Sequence, residues 1–249
     1  MTLPFFHVPG SLAFVDDDLD YLRMLALLVP THWHVRLFSR AEDCVAHLRD
    51  EPAQWEEDAW LQQQIIERWR QGGTPLVPQV LRYWADHAPT RYGLTHACVA
   101  DYSMPGMDGL QMLAELADWP GLRVLLTGQA DEQVAVSAFN RGLIDQFLPK
   151  QAQDVAERLL QVLRHLPSSA GMRCSQIWRS TLSPVQNAQL RVPATARALA
   201  ALIARQGFVE HVVMGEPFGI LGRTAEGTVG WLQLEPIGGL EELEALAES

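Results

Sequence analysis

Lysine is almost absent from this chain: Lys150 is the only lysine, and the other 18 basic residues are arginines. Acidic residues outnumber basic ones by 30 to 19, which gives a formal net charge of −11. Residues 168–249 carry six arginines and eight glutamates, so this part of the chain is not basic either. Because a nucleic-acid backbone or an anionic membrane attracts a basic surface, we expect neither as a direct partner.

Cysteine and long apolar runs are also scarce. The three cysteines, Cys44, Cys98 and Cys174, lie far apart without a CxxC motif, a usage typical of a reducing, cytoplasmic setting. The apolar opening of the chain contains two prolines and no basic segment, so we expect a strand there rather than a signal peptide. No apolar run reaches the roughly 18 residues that a membrane-spanning helix needs, so no span is expected.

The first two-thirds of the chain alternate short apolar runs with stretches of helical periodicity. This alternation is typical of an α/β domain built around a parallel sheet. The predicted strands are Ser11–Val15, His34–Phe38, Ala97–Ala100, Leu122–Leu126 and Ile144–Leu148. The predicted helices cover residues 19–28, 40–48, 109–117, 131–140 and 154–166.

The connection between the second helix and the third strand is unusually long. Residues 51–92 exceed what a crossover needs, and they predict two helices, at about residues 58–71 and 78–87. Four of the eight tryptophans lie in this insertion, at positions 55, 60, 69 and 84. The insertion is either a helical hairpin that packs its tryptophans on the flank of its own domain or a surface for dimerisation or partner docking.

A second domain is predicted at the C-terminal end. Residues 167–171, of sequence PSSAG, indicate a linker, so we expect a first domain at residues 1–166 and a second at residues 172–249. A helix at about residues 194–206 and strands at about 209–214, 218–221 and 228–234 indicate a small α+β fold.

Chemically distinctive side chains follow the carboxyl ends of four predicted strands. Asp16 and Asp17 follow the first strand, Asp101 the third, Thr127 the fourth and Lys150 the fifth. Ligands bind at this edge of a doubly wound sheet, so we expect these groups to converge. Clustered carboxylates need neutralisation, and their oxygens suit Mg²⁺. A free carboxylate in such a cluster can form an acyl phosphate, whose oxygens a hydroxyl and an ammonium would hold.

The motifs that contain these residues resemble the receiver domain of response regulators. They are AFVDDD, VADYSMPGMDGLQML, VLLTGQ and FLPK, and the resemblance covers roughly residues 11–166 apart from the insertion. It implies a flavodoxin-like, five-stranded parallel sheet and a Mg²⁺-dependent reaction in which Asp101 accepts a phosphoryl group. The other roles that it implies are those of the metal ligands Asp16, Asp17, Asp101 and the backbone carbonyl of Ser103, the switch residues Thr127 and Phe147, and the phosphate-pairing Lys150.

The resemblance also implies partners. A sensor histidine kinase or a phosphotransfer protein would supply the phosphoryl group, and the face formed by the fourth helix, fifth strand and fifth helix is a candidate homodimer contact. We expect a non-DNA-binding output and no turnover beyond phosphorylation and dephosphorylation of the aspartate. One departure concerns Gln151, which follows Lys150 where receivers usually have proline.

Two alternative functions come from other classes. A phosphohydrolase of the haloacid-dehalogenase type would carry a second aspartate two residues after its nucleophile, where this chain has Ser103. The C-terminal domain could instead be a small-molecule enzyme or a ligand sensor under control of the receiver. Its clustered polar candidates are Glu210, His211 and Glu216.

Overall fold

The computed structural model describes residues 3–128, 132–165 and 169–235. The described chain forms two compact units. We call the described residues of 10–58 and 90–170 the parallel-sheet unit, and residues 3–9, 59–89 and 171–235 the antiparallel-sheet unit. The predicted helix start at Asp131, the predicted linker residues 167 and 168, and residues 236–249 of the predicted second domain lie outside the described residues.

The parallel-sheet unit contains five parallel strands in the order β3-β2-β4-β5-β6, which confirms the predicted α/β, flavodoxin-like fold class. The strands, numbered along the whole chain, are β2 (Ser11–Val15), β3 (His34–Phe38), β4 (Thr95–Asp101), β5 (Leu122–Thr127) and β6 (Gln146–Pro149). The helices of this unit are α1 (Leu19–Leu28), α2 (Ala41–Leu48), the start of α3 (Glu51–Arg70), α5 (Gly109–Glu115), α6 (Glu132–Asn140) and α7 (Val155–His165).

Both faces of the central strands β2, β4 and β5 are buried. Successive side chains of a strand point to opposite faces. Accordingly Ala13 and Val15 of β2 pack in one core cluster, whereas Leu12 and Phe14 pack in the other. Helices cover each face, as the near-continuous apolar character of these strands predicts.

The antiparallel-sheet unit is built around a four-stranded sheet in the order β1-β7-β8-β9. Its strands are β1 (Phe6–His7), β7 (Phe208–Gly215), β8 (Phe218–Thr224) and β9 (Val229–Gln233). Its helices are the later part of α3, α4 (Leu76–Asp86), α8 (Ser169–Arg179), α9 (Pro184–Arg191) and α10 (Pro193–Arg205).

The insertion belongs mostly to the antiparallel-sheet unit, which the predicted domain boundaries did not anticipate. Ile65 and Ile66 of α3 and Trp84 of α4 are buried in one cluster with Trp178 of α8 and Val212 of β7. Residues 59–89 of the insertion therefore contribute to the core of the antiparallel-sheet unit. Of its four tryptophans, Trp55 and Trp84 are buried, Trp69 is half-buried and Trp60 is exposed.

The opening and linker residues also differ from expectation. Phe6 and His7 pair with β7, so the apolar opening adds a strand to the antiparallel sheet. Helix α8 begins at Ser169, inside the predicted linker. It buries Ala170, Cys174 and Trp178, which recur every four residues and therefore share one helix face.

Candidate functional site

The register of the parallel sheet brings four strand ends together. Strand β4 lies between β2 and β5, and β6 pairs with the other side of β5. Asp16 directly follows β2, Asp101 ends β4, Thr127 ends β5 and Lys150 directly follows β6. These residues therefore meet at the carboxyl edge of the sheet, where a topological switch point forms a ligand crevice.

Helix capping fixes the acids that follow β2. The side chain of Asp18 caps α1 by accepting hydrogen bonds from the backbone N–H groups of Asp20 and Tyr21, at 2.9 and 3.1 Å. The backbone N–H of Asp18 in turn donates to Asp16 Oδ1 at 3.0 Å. Because an N-cap residue fixes the start of a helix, this hydrogen bond fixes Asp16 Oδ1 relative to α1. The other carboxylate oxygen, Oδ2, is left for contacts within the site.

The loop after β4 returns sharply into α5. The backbone N–H of Gly109 donates to the Tyr102 carbonyl at 3.0 Å, and Asp108 forms a capping box with Gln111. A β-carbon at Gly109 would lie 2.1 Å from the backbone oxygen of Asp101, so the turn requires glycine there. The PGMDG segment thus holds the end of β4 in a fixed position.

Three carboxylates converge at this edge. One oxygen from each of Asp16, Asp17 and Asp101 lies within 4.8 Å of the others. Asp16 and Asp101 are buried, whereas Asp17 is exposed. The ammonium of Lys150 contacts Asp16 Oδ2 at 2.7 Å and Asp101 Oδ1 at 2.9 Å. One ammonium therefore faces three carboxylates, so negative charge is in excess. Carboxylate oxygens of this kind are the ligands that a hard cation such as Mg²⁺ prefers.

The electrostatics of the cluster follow from its burial. Burial raises the pKa of Asp16, and the hydrogen bond and charge of Lys150 only partly offset this effect. Burial also lowers the pKa of Lys150, but hydrogen bonds to Asp101 and Asp16 and the charges of these acids outweigh it, so that its pKa is raised overall. Lys150 is therefore charged at neutral pH and remains available to an anion.

The other predicted site residues surround this cluster. Thr127 is buried, and its backbone carbonyl accepts a hydrogen bond from the backbone N–H of Lys150 at 2.8 Å. Phe147 is half-buried in β6 and packs against the core. Ser103 is exposed, two residues beyond Asp101. Glu216–Pro217 is the only cis peptide among the described residues, so the Lys150–Gln151 bond is trans.

The polar candidates of the antiparallel-sheet unit do not form a comparable site. Glu210 pairs with Arg223, and the ring Nε2 of His211 lies 3.0 Å from the Pro4 carbonyl oxygen. Glu216 is exposed. Glu210 and His211 thus both have partners inside the unit.

Tyr21 is a site residue that the sequence analysis missed. The ammonium of Lys150 lies 4.6 Å from the centre of the Tyr21 ring. Tyr21 stands five residues after Asp16, in the first turn of α1. A search for aromatic residues in the helix that follows the paired acids would have found it.

The parallel-sheet unit has the fold of a response regulator receiver domain. The chain is similar in structure to the Legionella pneumophila response regulator LqsR, with a TM-score of 0.69 and 24% sequence identity. The similarity covers 92% of this chain and 66% of LqsR, so it extends into the antiparallel-sheet unit but leaves about a third of LqsR unmatched.

Other similarities are weaker. An adenylate cyclase from Rhodopirellula baltica matches with a TM-score of 0.44 and 17% identity over 70% of this chain and 94% of that one. A CheY-like receiver domain protein from Methanospirillum hungatei matches with a TM-score of 0.41 and 16% identity over 63% and 94%. The two TM-scores are too low for either similarity to support a conclusion.

Two further comparisons gave no relative: no protein-family model matches the chain, and no curated protein sequence matches it. None of the helices in the described part of the chain is both long and apolar enough to cross a membrane.

Proposed function

We propose that the parallel-sheet unit accepts a phosphoryl group on Asp101 and that the chain acts as a response regulator. The observation that carries the proposal is the contact of one ammonium, on Lys150, with both Asp16 and Asp101 in a cluster of three carboxylates. The fold shared with LqsR supports the same function, since that protein is a response regulator.

The chemistry follows from the geometry of the cluster. A carboxylate oxygen of Asp101 attacks the phosphorus of the donor, and the bond between phosphorus and the leaving group breaks with its electron pair on that group. Lys150 then pairs with one phosphoryl oxygen, and the Thr127 hydroxyl donates to another. Mg²⁺ bound by Asp16, Asp17, Asp101 and the Ser103 carbonyl would supply the positive charge that the phosphoryl oxygens need.

Phosphorylation is proposed to change the surface around α6 and β6. Thr127 moves towards the phosphoryl group, and Phe147 follows it inward from its half-buried position. Helix α6 exposes Val134, Val136 and Phe139, which supports a phosphorylation-dependent homodimer through α6, β6 and α7. The phosphoryl donor is a sensor histidine kinase or a phosphotransfer protein.

The output is assigned to the antiparallel-sheet unit, which we propose does not bind DNA. The net charge of −11 and the absence of lysines other than Lys150 support this assignment. The exposed Trp60 of α3 remains a candidate contact for a protein partner.

Incubation with Mg²⁺ and acetyl phosphate tests the proposal. Intact-mass measurement should show one added phosphoryl group, which is lost in acid as expected for an acyl phosphate. Asp101→Asn should remain unmodified, whereas Asp118→Asn, which changes an exposed aspartate of the same unit, should react like the parent. Equal labelling of Asp101→Asn and the parent protein would refute the assignment.

A further inference from the structure

We propose that Tyr21 is a positioning residue for Lys150: the face of its ring holds the ammonium beside the carboxylates of the site. This inference rests on the proposed phosphorylation of Asp101 for its functional consequence, but not for the contact itself. The ammonium lies 4.6 Å from the ring centre, within the range of about 6 Å in which a cation is attracted to an aromatic face.

The ring is held in place by the same segment that carries the acids. The backbone N–H of Tyr21 donates to the Asp18 side chain at 3.1 Å, which ties the residue to the start of α1. Asp16 is tied to the same cap through the backbone N–H of Asp18. One short segment, residues 16–21, therefore supplies the ring and one of the two carboxylates that contact Lys150.

The ring restricts Lys150 without competing for its charge. The side chain of Lys150 is only 23% exposed and contacts Asp16, Asp101 and the Tyr21 ring. Both carboxylates are hydrogen-bond acceptors, so an incoming phosphoryl oxygen must share the ammonium with them. The neutral ring keeps the ammonium at this edge of the sheet while its hydrogen bonds change from carboxylate to phosphoryl oxygens.

The ring rather than the hydroxyl carries this role. The Tyr21 hydroxyl oxygen is buried and has no hydrogen-bond partner among the described residues. Burial raises the pKa of this hydroxyl, and the charges of Lys150, Asp16 and Asp101 also act on it, which agrees with its position beside the cluster. Because the hydroxyl makes no bond to lose, its removal in Tyr21→Phe should leave the site intact.

Lysine-selective isotope labelling gives a direct test, because Lys150 is the only lysine and yields a single set of NMR signals. In the unphosphorylated parent, the ε-methylene protons of Lys150 should show nuclear Overhauser contacts to the Tyr21 ring and an upfield ring-current shift. Tyr21→Phe should retain the shift and Tyr21→Leu should lose it. If the parent shows no contact between Lys150 and Tyr21, the proposal fails without any variant being needed.

The functional consequence is measured separately, as the rate of phosphorylation by acetyl phosphate. Tyr21→Leu should be slower by about two- to tenfold, the range that a partly buried cation–aromatic contact supports, and Tyr21→Phe should match the parent. Tyr92→Leu is the matched control, because Tyr92 stacks on His34 at the opposite edge of the sheet and should change neither readout.

The two readouts separate failure of the inference from failure of the proposed function. An NMR contact in a protein that does not become phosphorylated would retain Tyr21 as a holder of Lys150 and reject the phosphorylation of Asp101. Where the parent does become phosphorylated, an equal rate for Tyr21→Leu would overturn the positioning role, as would a Tyr21→Phe variant as slow as Tyr21→Leu.

Discussion

Each of the two units buries an ion pair, but the two pairs differ in their balance of charge. In the parallel-sheet unit, Asp16 and Asp101 share the single ammonium of Lys150, and Asp17 adds a third carboxylate nearby. In the antiparallel-sheet unit, one carboxylate, Glu210, faces one guanidinium, Arg223. The first cluster keeps unneutralised acid at an edge where ligands bind, whereas the second is complete within the fold.

The surroundings of Arg223 support a structural role. Its Nε donates to Glu210 Oε2 at 2.8 Å, and its Nη1 donates to the Trp84 carbonyl at 3.3 Å. The guanidinium also lies 5.2 Å from the centre of the Trp84 ring. Such a cluster joins α4 of the insertion to the hairpin of β7 and β8. The candidate site is therefore distinguished by an excess of carboxylates over cations, and not by buried charge in itself.

The largest expected change in stability comes from breaking the ion pair of Glu210 with Arg223. Glu210→Leu leaves Arg223 buried without its carboxylate and should lower the unfolding free energy of the antiparallel-sheet unit by about 3–5 kcal/mol. Hydrogen exchange of peptides from β7 and β8 reports the stability of this unit specifically.

Two controls sharpen this prediction. The double variant Glu210→Leu/Arg223→Met removes both charges and should recover much of the loss. Asp154→Ala breaks the exposed pair with Arg158 in the parallel-sheet unit and, measured by hydrogen exchange of peptides from α7, should cost less than about 1 kcal/mol. If Glu210→Leu lowers the unfolding free energy of its unit by no more than Asp154→Ala lowers that of the other unit, the prediction that the buried pair stabilises the fold is wrong.

A second expected effect is acid sensitivity of the antiparallel-sheet unit. Burial, together with the neighbouring His7, lowers the pKa of His211 from its usual 6.5 to about 3. The unfolded chain therefore takes up a proton at a higher pH than the folded chain, and the stability present above pH 6.5 is lost as the pH falls towards 3. The expected slope is about 1.4 kcal/mol per pH unit.

The window between pH 6.5 and 5 separates this effect from the carboxylates, most of which remain ionised there. Burial also lowers the pKa of the neighbouring His7, so His7 adds to the slope in the same direction. Chemical denaturation across that window, followed by hydrogen exchange in β7, should show the slope in the parent. His211→Gln, which has no imidazole to protonate, should lose the part of the slope that comes from His211. A parental slope that persists in His211→Gln would assign the acid sensitivity to other groups.

The sequence predicted the parallel sheet and its cluster because both depend on local signals. The bounds of β2 and β3 match the prediction, since each is a short run of β-forming residues that ends in polar residues. Asp16, Asp101 and Lys150 were predicted to converge because the carboxyl ends of parallel strands meet at one edge of a sheet, and the structure places the three side chains in contact.

The antiparallel-sheet unit could not be predicted in the same way, because its core joins segments that are distant in the chain. Periodicity shows that Ile65 and Trp84 lie on apolar helix faces, but not that these faces pack against residues 171–235. The pairing of Glu210 with Arg223 likewise depends on the register of β7 and β8. The contact of Tyr21 with Lys150 was missed for a different reason, since Tyr21 lies within α1 and not at a strand end, where the sequence directed attention.

The smallest expected effect comes from the unbalanced cluster, and it is opposite in sign to that at Glu210. The pKa of Asp16 is raised, chiefly by burial, so the charged form of this acid opposes folding at neutral pH. Asp16→Asn removes one acid yet leaves Asp101 paired with Lys150, and should stabilise the parallel-sheet unit by at most about 1 kcal/mol in the absence of Mg²⁺. Hydrogen exchange of peptides from β2 and β4 measures this change.

Glu51 provides the matched comparison, because this buried carboxylate accepts hydrogen bonds from the Thr95 backbone N–H and hydroxyl and from the Trp119 indole. In Glu51→Gln an amide NH₂ group, which is a donor, replaces one of the accepting oxygens and faces the same N–H and O–H groups. The substitution should therefore lower the unfolding free energy by about 1–3 kcal/mol. Added Mg²⁺ should stabilise the parent more than Asp16→Asn, since only the parent retains the full set of carboxylates. A loss of stability in Asp16→Asn as large as that in Glu51→Gln would mean that the cluster at the strand ends is a structural element like Glu51, and the contrast between the two units would disappear.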